Sequence, residues 1–131
     1  NWGKISVKIC LKQLKGIYAV AQLDHGEKVP NWVDGDGFVS ISRTDDELSL
    51  VCLQKRIPPE IRMDRGWACF KFLGPFAFGE ADVILSVIRP LSENGIGKFV
   101  VSTFNGDIML LKLEDVSSAI KLLQQAGHSI E

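Results

Sequence analysis

Charge of either sign is not in surplus in this sequence. Fifteen Lys and Arg against sixteen Asp and Glu leave a formal net charge of −1 over 131 residues. That balance removes the global electrostatic argument for nucleic acid or an anionic membrane as partner. No apolar run reaches the roughly 18 residues of a membrane-spanning helix. The opening stretch, NWGKISVKICLKQLKG, alternates charged and apolar residues and lacks the apolar centre of a signal peptide. It begins at Asn1 rather than Met, as expected of a trimmed start. Cysteine is scarce and odd in number. Cys10, Cys52 and Cys69 share no CxxC spacing and read as reduced thiols in strand-like runs, which favours a cytoplasmic location. His25 and His128 are far apart with no Cys or His companion, so no zinc site is expected.

Catalytic and cofactor motifs are missing as well. GIGK at 95–98 follows a helix pattern, precedes a strand pattern and continues into Phe99, whereas a phosphate loop needs the reverse order and a Ser or Thr after the Lys. DGDG at 34–37 has spaced carboxylates without the Glu that completes a calcium loop, and reads as a surface turn. There is no G-x-S-x-G elbow, and no base stands beside any of the three cysteines. GKFVVSTF lacks the Gly and aromatic alternation of an RNA-binding strand. An acylphosphatase-like enzyme would need an Arg in the loop at 74–78, which has none. No catalytic residue, metal or cofactor is expected.

What remains is ordinary globular composition, 46% apolar and 24% charged, with a clear order of elements. GWACFKFL (66–73) reads as a strand, and Ile84, Val87, Ile88 and Leu91 recur at helical spacing between Glu80 and Glu93. Asn94-Gly95 supplies a helix stop. KFVVSTF and DIMLLKL are strands joined by Asn105-Gly106, a strong hairpin signal. A second helix starts near Asp115 and closes at Gly127, and HSIE can form a last edge strand. The order β-α-β-β-α-β is that of a split βαβ sandwich.

The first half repeats this order in reduced form. GFVSISRTDDELSLVCL overlies GKFVVSTFNGDIMLLKL sixty residues later, with Gly37 on Gly97, Ser42 on Ser102 and Glu47 on Asp107. GIYAVAQL overlies GWACFKFL at an offset of fifty. The connection from Asp24 to Asp36 is too short for a helix with its loops, and Pro58-Pro59 breaks a second one. The expected architecture is α+β: two ferredoxin-like (βαββαβ) modules packed as one compact unit, a degraded one over 5–65 and a complete one over 66–131.

Taken together, SVIRPLSENGI, VVSTFNGDIMLL, EDVSSAI and FVSISRTDDELSLVC resemble the tandem ACT-like family. That family includes aspartate-kinase-type regulatory proteins and the animal cytosolic arginine sensor. The resemblance runs from about Gly16 to the end of the chain. It implies ACT-type modules and a non-enzymatic, cytoplasmic regulatory or sensor protein. Such a protein binds an amino acid or related small metabolite at a module interface, needs no cofactor and forms a homodimer. Carried onto this sequence, the ligand segments are Gly74, Pro75, Phe76 and Phe78 after the first strand, with Ile96, Gly97, Lys98 and Phe99 where the second strand begins. Asp107 is a further candidate partner for an ammonium group. Glycines let a ligand approach the main chain, and aromatic walls exclude water. The sensor has small polar and apolar residues where this chain has Gly97-Lys98, so arginine is not carried over as ligand. Two other readings stay open: an interaction module whose aromatic loop binds a protein, and a small ferredoxin-like enzyme.

Overall fold

The computed structural model describes residues 7–74 and 80–131. The chain divides into two compact units, one of Leu14–Cys69 and one of Asn1–Gln13 with Phe70–Glu131. Only the second has α-helices among the described residues.

The helical unit comprises β1 (Cys10–Gln13), residues 70–74 of β5 (Met63–Gly74), α1 (Glu80–Ser92), β6 (Lys98–Ser102), β7 (Asp107–Lys112), α2 (Val116–Gln125) and β8 (Ser129–Ile130). Its strands lie in the order β6-β7-β5-β1-β8. From β5 onward this is the β-α-β-β-α-β order expected from the sequence. The unexpected member is β1, which inserts between the first and last strands, antiparallel to β5 and parallel to β8. Ile9 and Leu11 are buried, and Leu11 pairs with buried Phe72. Buried His128 ties the same region together. Its Nδ1 accepts from the Ile9 N–H at 3.0 Å, and its Nε2–H donates to the Ser86 carbonyl of α1 at 2.9 Å.

Val83, Val87 and Leu91, spaced one turn apart, form the buried stripe of α1. Pro90 falls in its last turns, and the Asn94 side chain donates to the Pro90 carbonyl at 2.7 Å. The helix then closes in a Schellman turn. Gly95 has φ +72°, its N–H donates to Ser92 O, and the Ile96 N–H reaches back to Leu91 O at 3.0 Å. α2 buries Ala119 and Leu123 and ends on Gly127 with the same bonding pattern.

The β6–β7 hairpin forms as the sequence predicts, but its turn is not centred on Asn105-Gly106. Ser102 pairs with Asp107, and the Thr103 N–H donates to Gly106 O at 2.7 Å, which leaves Phe104-Asn105 at the tip. Gly106 is not among the residues of positive φ, so the mirror-image turn that Asn-Gly favours is not used. This register places Asp107 opposite Ser102, whose hydroxyl donates to its carboxylate at 3.0 Å.

The Leu14–Cys69 unit contains β2 (Tyr18–Leu23), β3 (Ser40–Arg43), β4 (Leu48–Leu53) and residues 63–69 of β5, in the order β3-β4-β2-β5, all antiparallel. Short 3-10 turns, Asn31–Val33 and Gln54–Arg56, stand where a ferredoxin-like module has helices. Such thin cover suits small side chains beneath it: Ala19, Ala21 and Cys52 join Val33, Leu48, Leu50 and Ile57 in the core. Arg56 clips the 33–36 loop down by donating to the Asp36 and Val33 carbonyls at 3.0 and 3.2 Å. The DGDG stretch is therefore a clamped surface turn. Thr44 and Thr103 hold the corresponding hairpin positions, so the two hairpins coincide one residue off the sixty-residue alignment.

Candidate functional site

Among the predicted ligand contacts, Pro75, Phe76 and Phe78 lie outside the described residues. Gly74 ends β5 and pairs with Cys10. The remaining contacts fall into two separate places in the helical unit. The turn end of the hairpin lies beside the end of β5, since a Cβ on Gly106 would come within 3.8 Å of Phe72 O. Lys98 pairs with Leu111 at the hairpin's open end. That is four steps along β7 from Asp107, or about 13 Å. The crossover explains the separation. The 13 residues of α1 carry the chain back over about 20 Å before β6 begins. Gly74 and Asp107 are thus at one end of this unit and Ile96–Phe99 at the other.

At the start of β6, Ile96 is buried and its N–H is spent on the α1 cap. The Lys98 ammonium folds back to Ser92 Oγ and to the Ile96 carbonyl, so it neutralises the helix exit. Phe99 is half-buried opposite Leu110. Gly97 differs from its neighbours. Its φ is not in the left-handed region, and a Cβ placed on it meets nothing within 4 Å. Among the described residues neither backbone conformation nor packing calls for glycine there, and they leave the main chain open to approach. β6 pairs only with β7 among the described strands. The Thr103–Gly106 bond fixes the alternation, so the N–H and C=O groups of Lys98, Val100 and Ser102 point away from β7. Asp107 is 4% exposed and engaged with Ser102.

The other unit has a start of β3 that the sequence aligns with this place, and it is built differently. The Phe38 N–H donates to the Tyr18 hydroxyl oxygen at 3.0 Å. Tyr18 is fully buried, and burial pushes its phenol up from the ordinary range, the Phe38 bond only partly opposing this. Gly37 has φ +85°, and a Cβ there would stand 2.3 Å from the same hydroxyl. Sequence reasoning missed Tyr18. Its signal was being the one tyrosine of the chain, two residues after a glycine that recurs in the repeat. Those glycines, Gly16 and Gly66, are both left-handed. A shallow trough of about 460 Å³ on this unit is lined by Gln22, Glu47, Ser49, Arg62 and Asp64. There, Glu47 Oε1 already accepts from Ser49 Oγ at 2.9 Å and Gln22 Nε2 at 3.3 Å.

Burial holds the Cys69 thiol at about 12 and pushes that of Cys52 up, so both stay protonated at neutral pH and are poor nucleophiles. Among the described residues no group of His, Cys, Asp and Glu is arranged to hold a metal ion, and no helix is long and apolar enough to cross a membrane.

Comparison with known proteins agrees with the fold. An ACT-domain profile matches residues 62–125, and a profile for another family's N-terminal domain matches residues 16–60. No curated protein matches the chain. The crystal structure of protein Atu0741 from Agrobacterium tumefaciens is 58% identical with a TM-score of 0.91, over 95% of this chain and 92% of that one. The ligand-free regulatory subunit of aspartate kinase from Thermus thermophilus is similar in fold, with a TM-score of 0.59 at 9% identity over 85% and 93% of the two chains. Aspartokinase III of E. coli, solved with lysine and aspartate, gives 0.52 at 11% identity over 95% of this chain and 34% of that one.

Proposed function

The chain belongs to the family of Atu0741 from Agrobacterium tumefaciens and carries an ACT domain across residues 62–125, and from this we propose that it is a non-enzymatic regulatory protein holding an amino acid or related small metabolite. The observation that carries the reading is the start of β6, where Gly97 leaves open main chain that its own fold does not require. Outward-pointing N–H and C=O groups along β6 are obligatory hydrogen-bonding groups, able to receive the carboxylate and ammonium of a zwitterion. Lys98, held against the helix exit, adds positive charge behind the carboxylate position. An amino acid as ligand class is supported by aspartokinase III, a fold neighbour solved with lysine and aspartate.

The end of β5 lies at the far end of the helical unit, so the second wall of the site comes from another module. A second copy of the chain is the simplest source. In this homodimer the proposed ligand contacts are Ile96–Phe99 of one copy and Gly74, Pro75, Phe76 and Phe78 of the other. The Leu14–Cys69 unit is read as a reduced second ACT-type module. Asp107 serves its hairpin through Ser102 rather than the ligand. No step of chemistry is assigned, and the protein acts in the cytoplasm through the change in docking that ligand occupancy favours.

A thermal-shift screen against the twenty common amino acids tests this. A ligand at about a hundred times its Kd adds roughly 2.7 kcal/mol of stability. One or two amino acids should raise the Tm of the wild type, and Gly97→Trp should remove the shift while leaving the fold intact. A folded wild-type protein that ignores all twenty at millimolar concentration sinks the reading. One observation favours a different role. Phe104, at the hairpin tip, is fully exposed, as the contact residue of a protein-binding module would be. Amino-acid silence together with loss of a partner in Phe104→Ala would establish that role instead.

A further inference from the structure

The start of β3 in the Leu14–Cys69 unit is occupied from within. The Phe38 N–H is taken by the Tyr18 hydroxyl at 3.0 Å, and the ring has 0% exposure. At Gly37 the backbone lies so close that any Cβ would sit 2.3 Å from that oxygen. Gly97, which the hairpin register matches to Phe38, has no described atom within 4 Å of its Cβ position. The repeat differs in the same sense one step earlier, for GIYAVAQL has Tyr18 where GWACFKFL has Ala68.

We infer that the Tyr18 hydroxyl stands in for a ligand oxygen at the start of β3, closing a second amino-acid site so that each chain takes one ligand, at the start of β6. The inference rests on the reading of the β6 start as an amino-acid site. A phenolic oxygen and a carboxylate oxygen are both acceptors for a main-chain N–H. The phenol is part of the chain and loses no translational freedom on binding, so a free carboxylate competes poorly with it. Gly37 then has a definite reason to be glycine, the close approach of the Tyr18 oxygen to the main chain, while Gly97, at the place of Phe38, leaves its main chain open to an external oxygen. Once the ring is removed, the closed site would accept a small carboxylate on the Phe38 N–H, in the space the ring vacates.

The test is a titration of wild type and Tyr18→Ala with glycine, the smallest zwitterion, followed through backbone amide resonances. In the wild type the amides of 97–99 should move and that of Phe38 should not. In Tyr18→Ala the Phe38 amide should move too, saturably, and the bound glycine per chain should double. A folded Tyr18→Ala whose Phe38 amide ignores glycine overturns the inference, as does a Phe38 response in the wild type. Response at Phe38 in the variant with silence at 97–99 supports closure by Tyr18 and overturns only the β6 reading, so the two failures are told apart. Should Tyr18→Ala not fold, Tyr18→Phe decides. It keeps the ring and removes the oxygen, so the Phe38 amide should exchange with deuterium about tenfold faster, and unchanged protection overturns the inference.

Discussion

Cys69 has no solvent exposure, and burial alone raises its thiol from the ordinary 9.0 to about 12. Cys52 and Tyr18 shift upward for the same leading reason, loss of solvation of the charged form. Between pH 9 and about 12 the folded chain keeps a proton on Cys69 that the unfolded chain has released. The unfolded state therefore binds fewer protons, and stability falls as pH rises. The stabilisation is fully present below pH 9 and is lost progressively above it, each such group contributing a slope of up to about 1.4 kcal/mol per pH unit. Urea melts of wild type and Cys69→Ala from about pH 8 to about pH 11 should show a shallower alkaline decline in the variant. Parallel declines would mean that this thiol does not titrate as a buried group. That Cys52 and Cys69 are buried, unreactive thiols was legible in the sequence from their apolar neighbours. The acceptor role of Tyr18 was not, because the Phe38 amide it meets is twenty residues away in the chain.

Two glycines flank the exit of α1, and only one is demanded by the element. Gly95 ends the helix at φ +72°, so Gly95→Ala forces an L-residue into the left-handed region at a cost of about 1–2 kcal/mol. Gly97→Ala meets no atom and no unfavourable φ, and its effect on stability should stay within about 0.5 kcal/mol. Chemical denaturation of both variants checks this, and a Gly97→Ala as damaging as Gly95→Ala would mean that packing, not an open site, explains Gly97. The helices were readable because Val87 and Leu91 of the predicted spacing are buried on one face of α1, although Val83 rather than half-buried Ile84 and Ile88 completes that face, and a Gly-capped stop follows. The missing helices were readable too, since Pro30, Pro58 and Pro59 leave room only for 3-10 turns. The hairpin turn was not. Local preference for Asn105-Gly106 yields to a pairing that seats Asp107 against Ser102, and that competition is settled across strands. Gly74 and Gly97 lie apart within one chain for a related reason. They are neighbours across a helix in sequence, and the helix is what separates them.

At the level of the whole chain, the module boundary is where sequence carries least. The ACT profile begins at residue 62, yet the unit that holds most of the match resumes only at Phe70 and also includes Asn1–Gln13. KICLKQL alternates like many strands, and nothing local says that its partners are residues 70–74 and 129–130. Its bonds are nonetheless extensive. Ser129 and Glu131 N–H groups donate to the Ile9 and Leu11 carbonyls at 3.0 and 2.7 Å, and the Gln13 N–H donates to Glu131 O at 3.0 Å. The Ile9 N–H satisfies His128, and the Ile9 and Leu11 side chains are buried. Without β1, β8 loses its one strand partner among the described residues, His128 keeps a buried acceptor with no donor, and the side of β5 that β1 covers is left unpaired. An unmet buried polar group alone costs about 1–3 kcal/mol, and open strand edges invite association. A fragment of residues 62–131 should therefore be unfolded or aggregated by circular dichroism and sedimentation, although it spans the whole ACT match. Adding a peptide of residues 7–15 in excess should restore a cooperative melt and protect the amides of 129–131 from exchange. A fragment that melts cooperatively without the peptide would show β1 to be an accessory of this unit rather than one of its structural strands.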